Sequence, residues 1–551
     1  MTRKERVVFF IALITCVVAG LFVTTNAYYG ATEEVPATGG SFTEGIVGQP
    51  TSISPLIASA SDADMAATEL LFPRLGDIMA SFTESPDRTV ISVTLKKKLT
   101  WDDGKPLTAD DIVFTVETVQ DLTVRSPQAG AWQGVIAEKT NDDEVRFTLR
   151  APYAFFDTVM RKLKIAPQHI FGAIPAANLR LSKYNLEPVG AGPWKFKGMT
   201  TERDGFITKM DFVPNPHYYG APPFISTFSL RFYPNEEQAI AAFNARRIDG
   251  VGGIEAKDAE ALVIEHRLAS VSLPRYYAVF FNPNTHPALK NKVVRQALGM
   301  AVDRKKITRD VFNDYAAAAE GPLTPQTAGY DATVYAQTGD HIQNPSRLGQ
   351  AEADAKQLLE NDGWLINPED GVRYKTIGKN RIKLEFTAIV PDLPFLTRVM
   401  AIIKNDWAAI GVKITISPMS VEDMQKGPLK TRNYEMVVFG NILKDNPDVF
   451  VFWHSSQKFY PGLNLAMYDN KQVDIILTEL QKAKVLDTKQ LKKLQELIRN
   501  DAPAAFLVNP NYLYALPNNL RGFNAESIIS PADRLTGAGS WFVRTKRQFK
   551  K

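Results

Sequence analysis

The sequence predicts a protein of mixed α/β class made of several domains. Strand-like and helix-like segments alternate along most of the chain, which is typical of α/β lobes and not of a helical bundle or an all-β sandwich. The chain has 551 residues, too many for one hydrophobic core, and its length corresponds to roughly three to four domains. No pattern repeats with a period of 20–50 residues, so a solenoid is not expected.

The predicted strands are short runs that alternate apolar and polar residues, or that are wholly apolar. The run YYAVFF at 276–281 is of the second kind, which is typical of a strand buried on both faces. The segments predicted as strands are 40–56, 90–99, 144–149, 228–233, 276–281, 381–390 and 412–419.

The predicted helices carry apolar residues at a spacing of three to four. Thr108 and Asp111 form a capping box, and the helix after it places Ile112, Val116 and Val119 on one face. The other segments predicted as helical are 235–248, 291–300, 353–364, 395–410 and 471–501.

The N-terminus predicts export from the cytoplasm. Arg3, Lys4 and Arg6 precede an uncharged apolar run at 7–23, and small residues follow up to Ala27. This pattern is typical of a signal peptide over 1–27, or of an N-terminal membrane anchor that is retained. Lipidation at Cys16, the single cysteine, is a third alternative. Residues 28–39 are small and polar and are predicted to form a linker, with the body facing the extracytoplasmic side.

Composition excludes several functional classes. The net charge is +4, but the first six residues carry +2 and the last eight carry +5, which leaves −3 for the body. A nucleic-acid-binding face is therefore not expected. Without cysteine in the body there is no disulfide framework, thiol nucleophile or cysteine-ligated metal. Phosphate-loop, nucleophile-elbow and H-E-x-x-H motifs are also absent, so the sequence predicts no catalytic residues, no metal and no cofactor.

A series of segments resembles the extracytoplasmic solute-binding proteins of ABC transporters in the peptide/nickel family, called family 5. The resemblance spans about residues 40–545. It rests on eight segments that occur in the order expected for this family. The segments are WDDGKPLTADDIVFTVE, EPVGAGPWKF, VPNPHYYGAPP, NARRIDGV, NKVVRQALGMAVDRKKI, DAKQLLENDGW, KDNPDVF and NDAPAAFLVNPNYLYALPNNLRGF.

The resemblance implies a periplasmic-binding-protein-like, two-lobed fold with an additional domain and a hinge between the lobes. Domain I, the first lobe, would comprise 40–62, 186–274 and 502–551. Domain II, packed on it, would be 63–185, and domain III, the second lobe, would be 275–501. The strands crossing between the lobes would lie at 276–282 and 505–509.

The resemblance also implies where a ligand binds. In peptide binders of the family an acidic residue ahead of a Pro-Asp pair accepts the α-ammonium group of the ligand, and Asp445, with Asn446 beside it, takes that position here. Ile442 stands where the family commonly has a tryptophan. A cap on the turn before Pro447 is the alternative role for Asp445.

Further candidates are predicted near the cleft on weaker grounds. The glycines lie in a turn that permits close backbone approach, and the aromatic and amide residues lie at or near the predicted crossing or in the second lobe. For each of them packing is the competing interpretation. The candidates are Gly190, Gly192, Tyr276, Tyr277, Asn282 and Trp453, with Trp101 as a further aromatic residue.

The function that the resemblance implies is capture of short peptides and their delivery to the permease subunits of an ABC transporter. A non-peptide solute, such as a nickel chelate or an oligosaccharide, is an alternative on the same fold. A third alternative is a membrane-tethered sensor that delivers nothing.

Overall fold

The computed structural model describes residues 2–57, 61–126, 128–335, 348–443, 446–525 and 528–550. Two large mixed sheets, each with helices packed against it, organise this part of the chain. The predicted α/β class is therefore confirmed. A four-stranded sheet and two smaller sheets complete the strand topology.

The seven-stranded sheet forms the first lobe. Its central strand Ser41–Val47 runs parallel to both of its neighbours, and Phe42 packs edge-on against Trp541 with ring centroids 5.4 Å apart. Burial of such aromatic rings on one face fixes how the surrounding helices and loops cover this sheet. In spatial order the strands are Arg267–Val271, Tyr512–Leu516, Gly250–Gly252, Ser41–Val47, Thr227–Tyr233, Ile207–Pro214 and Trp194–Thr201.

The six-stranded sheet forms the second lobe. Its strand Arg275–Phe281 is buried on both faces, because Tyr276, Ala278 and Phe280 enter one apolar core and Val279 and Phe281 enter another. The continuous apolar run predicted this environment correctly. In spatial order the strands are Ala316–Ala318, Ala504–Pro510, Arg275–Phe281, Met436–Ile442, Glu385–Pro391 and Lys413–Met419.

The third unit is an antiparallel four-stranded sheet with the helix Ala109–Gln120 beside it. The predicted capping box is present: the Thr108 amide donates to the Asp111 carboxylate at 2.9 Å. The strands in spatial order are Met79–Glu84, Val90–Leu95, Glu144–Thr148 and Ile136–Asn141.

Two small sheets lie outside these units. One contains Leu365–Ile366, Arg373–Ile377 and Asn380–Lys383, and the other pairs Thr32–Ala37 with Arg544–Phe549. The second sheet corrects the predicted linker at 28–39, because these residues complete a helix and then form a strand. The pairing partner lies more than 500 residues away, so the local sequence did not reveal it.

The helices agree with the predicted positions, with one difference at 471–501. This segment forms two helices instead of one, because Asp487 begins a new helix by accepting the Lys489 amide at 2.8 Å. The helices are Arg3–Ala31, Asp62–Leu71, Leu75–Ile78, Ala109–Gln120, Ala129–Trp132, Phe156–Arg161, Gln168–Phe171, Glu236–Asn244, Pro287–Lys290, Lys292–Met300, Arg304–Phe312, Leu348–Asn361, Pro394–Ala409, Val421–Lys426, Pro428–Thr431, Phe450–Trp453, Lys471–Lys482 and Thr488–Asp501.

The membership of the sheets can be compared with the predicted domain ranges. The strands of the seven-stranded, six-stranded and four-stranded sheets fall within the ranges predicted for domains I, III and II, respectively, with one exception. The strand Ala504–Pro510 pairs with Arg275–Phe281 in the second lobe, although 502–551 was predicted for domain I. Backbone hydrogen bonds and burial of 504–508 between neighbouring strands draw this strand into the second lobe. The domain boundaries themselves stay a prediction.

Candidate functional site

Two short segments connect the lobes. Residues 271–275 lead from the first sheet to the second, and 510–512 lead back. The side chain of Asn509 is buried and donates to the Leu273 carbonyl at 2.9 Å, while Asn511 donates to the Ser270 hydroxyl at 2.9 Å. The two connections are therefore tied to each other, and a rotation of one lobe against the other must pass through both.

The strand Met436–Ile442 leads toward the predicted ligand site. Its last residue, Ile442, lies opposite Arg275 at the start of the neighbouring strand, and 55% of the residue is exposed. The next residue, Leu443, donates its amide to the Pro274 carbonyl at 2.6 Å, beside the first connection between the lobes. Asp445 itself lies outside the described residues.

Asn446 lies immediately after the predicted ligand residue and is buried. Its side-chain oxygen accepts the Asp448 amide at 3.1 Å. Its side-chain nitrogen is enclosed and has no hydrogen-bond partner among the described residues. A buried N–H without an acceptor is costly, so this group is suited to a ligand carbonyl.

The contacts between the unit at 63–185 and the second lobe form a group that we call the clasp, comprising Arg88, Tyr153, Asp448 and Gln481. The Tyr153 hydroxyl donates to Asp448 Oδ2 at 2.5 Å, and the Ala154 amide donates to the Gln481 carbonyl at 2.6 Å. Within the second lobe, the Gln481 side chain donates to Asp448 Oδ1 at 3.3 Å. Arg88 donates to the Ala483 carbonyl at 2.9 Å. The segment that contains Asp445 thus leads directly into a contact between two units of the fold.

The electrostatics of the clasp keep Tyr153 in its donor form. Burial and the neighbouring Asp448 carboxylate both raise the pKa of the Tyr153 hydroxyl above its usual value. A neutral tyrosine donating to a carboxylate makes a charge-assisted hydrogen bond. A second contact between the lobes joins Arg398 to Glu255, with nitrogen and oxygen 3.4 Å apart.

Gly190 and Gly192 are packed tightly against the end of the helix Asp62–Leu71. A Cβ atom on Gly190 would lie 2.2 Å from the Leu71 carbonyl oxygen, and one on Gly192 would lie 2.7 Å from the same atom. The Gly192 amide also donates to this carbonyl at 2.7 Å. Packing alone therefore explains why both positions are glycine.

The candidates in the second lobe are mostly buried in its core. Tyr276 and Trp453 are fully enclosed, and Asn441 donates to the Tyr276 hydroxyl at 2.8 Å. Asn282 is also buried and donates to the Arg432 carbonyl at 2.9 Å. These side chains serve the core of the lobe and do not line an open cleft, because their polar groups are already satisfied or enclosed by it.

Tyr277 and Trp101 are placed differently from each other. Tyr277 is half-buried, with its ring edge-on to Phe395 at a centroid separation of 5.1 Å. Trp101 is fully buried in the first core cluster. Neither ring is seen in contact with the described residues that follow Asp445. A ligand role for Tyr277 and Trp101 therefore stays a prediction.

The sequence did not identify Tyr153 or Gln481 as members of a site. Tyr153 meets Asp448 across 295 positions of sequence, and neither Tyr153 nor Gln481 belongs to a recognisable motif. Asp448 could have been found, since it follows Pro447 within the family-like segment KDNPDVF. Within the described ranges, no group of three or more His, Cys, Asp or Glu side chains is arranged to hold a metal ion.

Comparison with known proteins agrees with this architecture. Residues 75–460 match the family described as bacterial extracellular solute-binding proteins, family 5 middle. The oligopeptide-binding protein AppA of Bacillus subtilis is 27% identical over 510 residues, covering 89% of each chain.

Solved structures show the same fold. AppA from Bacillus subtilis, in complex with a nonapeptide, aligns with a TM-score of 0.71 at 24% identity, over 93% of this chain and all of that one. NikZ from Campylobacter jejuni, in complex with Ni(L-His), aligns with a TM-score of 0.70 at 21% identity, over 91% of this chain and 99% of that one.

The fold and the contacts between lobes thus define a two-lobed binding protein, as predicted. More particularly, the chain belongs to the family 5 extracellular solute-binding proteins of ABC transporters. Proteins of this kind bind solutes and are not enzymes. The helix Arg3–Ala31 is long and apolar enough to cross a membrane, and a signal sequence has the same properties.

Proposed function

We propose that this protein captures short peptides between its two lobes outside the cytoplasm and delivers them to the permease subunits of an ABC transporter. One observation carries the proposal: the segment predicted to bind the ligand ends at Asp448, which the Tyr153 hydroxyl contacts from another unit at 2.5 Å. A ligand held by Asp445 would therefore lie beside a contact that forms only when the units approach. The similarity to a protein named as oligopeptide-binding supports the choice of ligand.

The proposed chemistry matches two groups of a peptide, its amino terminus and one of its carbonyl oxygens. A carboxylate at Asp445 would accept the α-ammonium group through a charge-assisted hydrogen bond of about 1.5–3 kcal/mol. The unpartnered Asn446 side-chain nitrogen would donate to a peptide carbonyl. Both groups recognise features that all peptides share, so affinity would depend little on side-chain sequence.

Ile442 leaves the approach to this site without an aromatic wall. It is more than half exposed at the end of its strand, where the family commonly has a tryptophan. An aliphatic side chain contributes apolar contact but no stacking surface. We therefore infer that the first side chain of the ligand is held by apolar contact and is not restricted to one type.

Native mass spectrometry of the full chain, released gently from detergent, tests the proposal. We expect a ladder of bound masses that correspond to short peptides, and their range would give the preferred length. A single discrete mass that is not a peptide would contradict the proposal and favour a nickel chelate, an oligosaccharide or another solute. If the purified protein carries no ligand and binds no peptide from an added mixed library, the alternative of a membrane-tethered sensor is favoured.

A further inference from the structure

The uncharged part of the first helix is long enough to cross a bilayer. Residues 7–31 carry no charge, which is 25 residues in a row. At 1.5 Å per residue this run is about 38 Å long, whereas the hydrocarbon core of a bilayer is about 30 Å thick. Its apolar run at 7–23 has 17 residues, slightly more than the about 7–15 apolar residues of a signal peptide. None of the residues in the helix Arg3–Ala31 is buried against the body.

The helix passes directly into a strand that is paired with the last strand of the chain. The helix ends at Ala31 and the strand Thr32–Ala37 begins at the next residue, antiparallel to Arg544–Phe549 over six residue pairs. The Lys550 amide donates to the Ala31 carbonyl at 2.9 Å. No flexible spacer separates the helix from the body.

Residues from both ends of the chain surround the outer end of this helix. The Arg547 guanidinium lies over the Tyr29 ring at 4.2 Å and also near the Tyr28 ring, whose centroid is 6.4 Å from that of Phe549. We call Tyr28, Tyr29, Arg547, Phe549 and Lys550 the collar.

The collar exposes aromatic rings to an unusual degree. Tyr28, Tyr29 and Phe549 are 46%, 54% and 68% exposed, respectively. Tyrosine and tryptophan rings at the end of an apolar helix are typical of the membrane–water interface, and long cationic side chains reach the headgroups from the same depth. The collar combines both kinds of side chain at one level of the helix.

The charge of the two-stranded sheet favours an anionic surface. The sheet contains Arg544, Lys546 and Arg547 against Glu33 and Glu34, and Lys550 follows directly after it, so the sheet and Lys550 together carry a net charge of +2. Glu34 is the ion-pair partner of Arg547, at 3.6 Å. The side chain of Lys550 makes no ion pair among the described residues and is exposed.

We propose that the collar lies in the headgroup layer of the membrane that the first helix crosses. Tyr28, Tyr29 and Phe549 occupy the interface, and Lys550 binds the phosphates of anionic phospholipids. Arg547 holds the helix end to the strand pair through Thr32, the Tyr29 carbonyl and Glu34. The helix is therefore a retained anchor, and the strand pairing holds the first lobe at a set position on the membrane surface. This role of the last strand does not depend on which solute the cleft binds.

Spin labelling of the full chain in vesicles tests the proposal. With Cys16→Ser as background, one label is placed at Gln548→Cys beside the collar and a reference label at Val485→Cys, an exposed position in the second lobe. The vesicles contain phosphatidylcholine with or without about one third phosphatidylglycerol, because basic residues near an anionic surface add about 1 kcal/mol each. Power saturation with oxygen and with water-soluble chromium oxalate reports the depth of each label.

We expect the label at 548 to show a several-fold higher ratio of oxygen to chromium accessibility than the reference, with the larger difference in anionic vesicles. The variant Phe549→Ser/Lys550→Gln should abolish this difference. The matched variant Phe459→Ser/Lys379→Gln changes an equally exposed phenylalanine and lysine in the second lobe and should leave it unchanged.

Two results would overturn the proposal. The first is equal accessibility to chromium oxalate of the labels at 548 and 485, in both kinds of vesicle and with Phe549 and Lys550 unchanged. The other is an intact mass of the membrane-extracted chain that lacks residues 1–27 or shows processing at Cys16. Neither result bears on peptide binding, which is measured separately.

Discussion

At the scale of single residues, we expect a ligand to bind where polar atoms of the protein have no partner within the protein. Gly190, Gly192, Tyr276 and Asn282 have packing or hydrogen-bond partners that account for them. Asn446 differs, because its enclosed side-chain nitrogen has no partner among the described residues. The enclosed indole nitrogens of Trp101 and Trp453 also have no partner among the described residues, so the residue scale favours Asn446 only over Gly190, Gly192, Tyr276 and Asn282.

The Asp445→Asn substitution is the sharpest residue-level test of the peptide proposal. An asparagine keeps the size of the side chain but removes the charge that would face the α-ammonium group, so we expect peptide binding to weaken at least about tenfold. Isothermal titration calorimetry with a peptide found by native mass spectrometry measures this change. Asp204→Asn, in an exposed turn of the first lobe, is the matched control. Equal affinity of both variants and the unsubstituted chain would remove Asp445 from the site.

At the scale of secondary-structure elements, Asp406 connects two helices of the second lobe. It lies in the helix Pro394–Ala409 and accepts the amide of Asp303, the cap of the helix Arg304–Phe312, at 2.9 Å. Burial is the main cause that raises the pKa of Asp406 to about 6, with the nearby Asp303 carboxylate contributing. The folded protein therefore holds this proton more tightly than the unfolded chain does.

We expect Asp406→Asn to stabilise the protein at pH 7.5, where the native carboxylate is charged at a cost. The expected gain in the free energy of unfolding is about 1 kcal/mol, less than the ~3 kcal/mol that the pKa difference alone gives, because the side chain is only half-buried. The gain should shrink as the pH falls through 6 and vanish only at about pH 3 and below, where Asp406 is protonated in both the folded and the unfolded state. Urea denaturation at several pH values measures it, and a gain independent of pH would contradict this assignment.

A buried network of ion pairs and a hydrogen bond joins four secondary-structure elements around the first lobe. Arg534, in the short 3-10 helix Pro531–Leu535, donates to Glu44 at 2.8 Å and to Asp62 at 3.1 Å. Tyr514 also donates to Glu44, at 2.7 Å. Both Arg534 and Glu44 are almost completely buried, so either charge would be strongly unfavourable alone.

Arg534→Met should destabilise the first lobe by about 3–5 kcal/mol, because it leaves the Glu44 carboxylate buried without its cation. Thermal unfolding followed by circular dichroism measures the loss. The double variant Glu44→Gln/Arg534→Met removes both charges and should recover a substantial part of the stability. If the single variant unfolds at the same temperature as the unsubstituted chain, the network does not stabilise the lobe.

At the scale of the whole molecule, non-covalent contacts hold the second lobe to the rest of the protein. The clasp joins it to the unit at 63–185, and the pair Arg398–Glu255 joins it to the first lobe. Its covalent links to the first lobe are the connections at 271–275 and 510–512. The hydrogen bonds of the clasp and this ion pair each contribute on the order of 0.5–1.5 kcal/mol. They add to an apolar cluster that Ile240 and Phe243 of the first lobe share with residues of the second. A small difference of this size is enough to shift the balance between an open and a closed arrangement. We therefore expect ligand binding and closure to be coupled at the clasp.

Tyr153→Phe removes the side-chain hydrogen bond by which the clasp joins the unit at 63–185 to Asp448 of the second lobe. We expect the ligand-free variant to be more open, with a larger radius of gyration in small-angle X-ray scattering, and to release peptide several-fold faster. Tyr374→Phe, in the three-stranded sheet, controls for the loss of a hydroxyl group. An unchanged radius together with an unchanged release rate would show that the clasp does not influence closure.

Much of the fold could be predicted from the sequence, because local patterns carry it. The capping box at Thr108, the buried strand at 276–281 and the alternating strands of both lobes follow from neighbouring residues. Less of the site could be predicted. The family-like segment around Asp445 was visible, whereas Tyr153 and Gln481 were not, since neither belongs to a pattern.

What the sequence by itself determined is the class of fold, its family and the segment in which a ligand is expected. Only the tertiary structure decided that Ala504–Pro510 joins the second lobe, that Tyr153 meets Asp448, and that the last strand pairs beside the first helix. The physical reason is the range of the interactions. Helix caps and strand alternation act over a few residues, whereas sheet membership, closure and the collar depend on burial and hydrogen bonds between residues hundreds of positions apart.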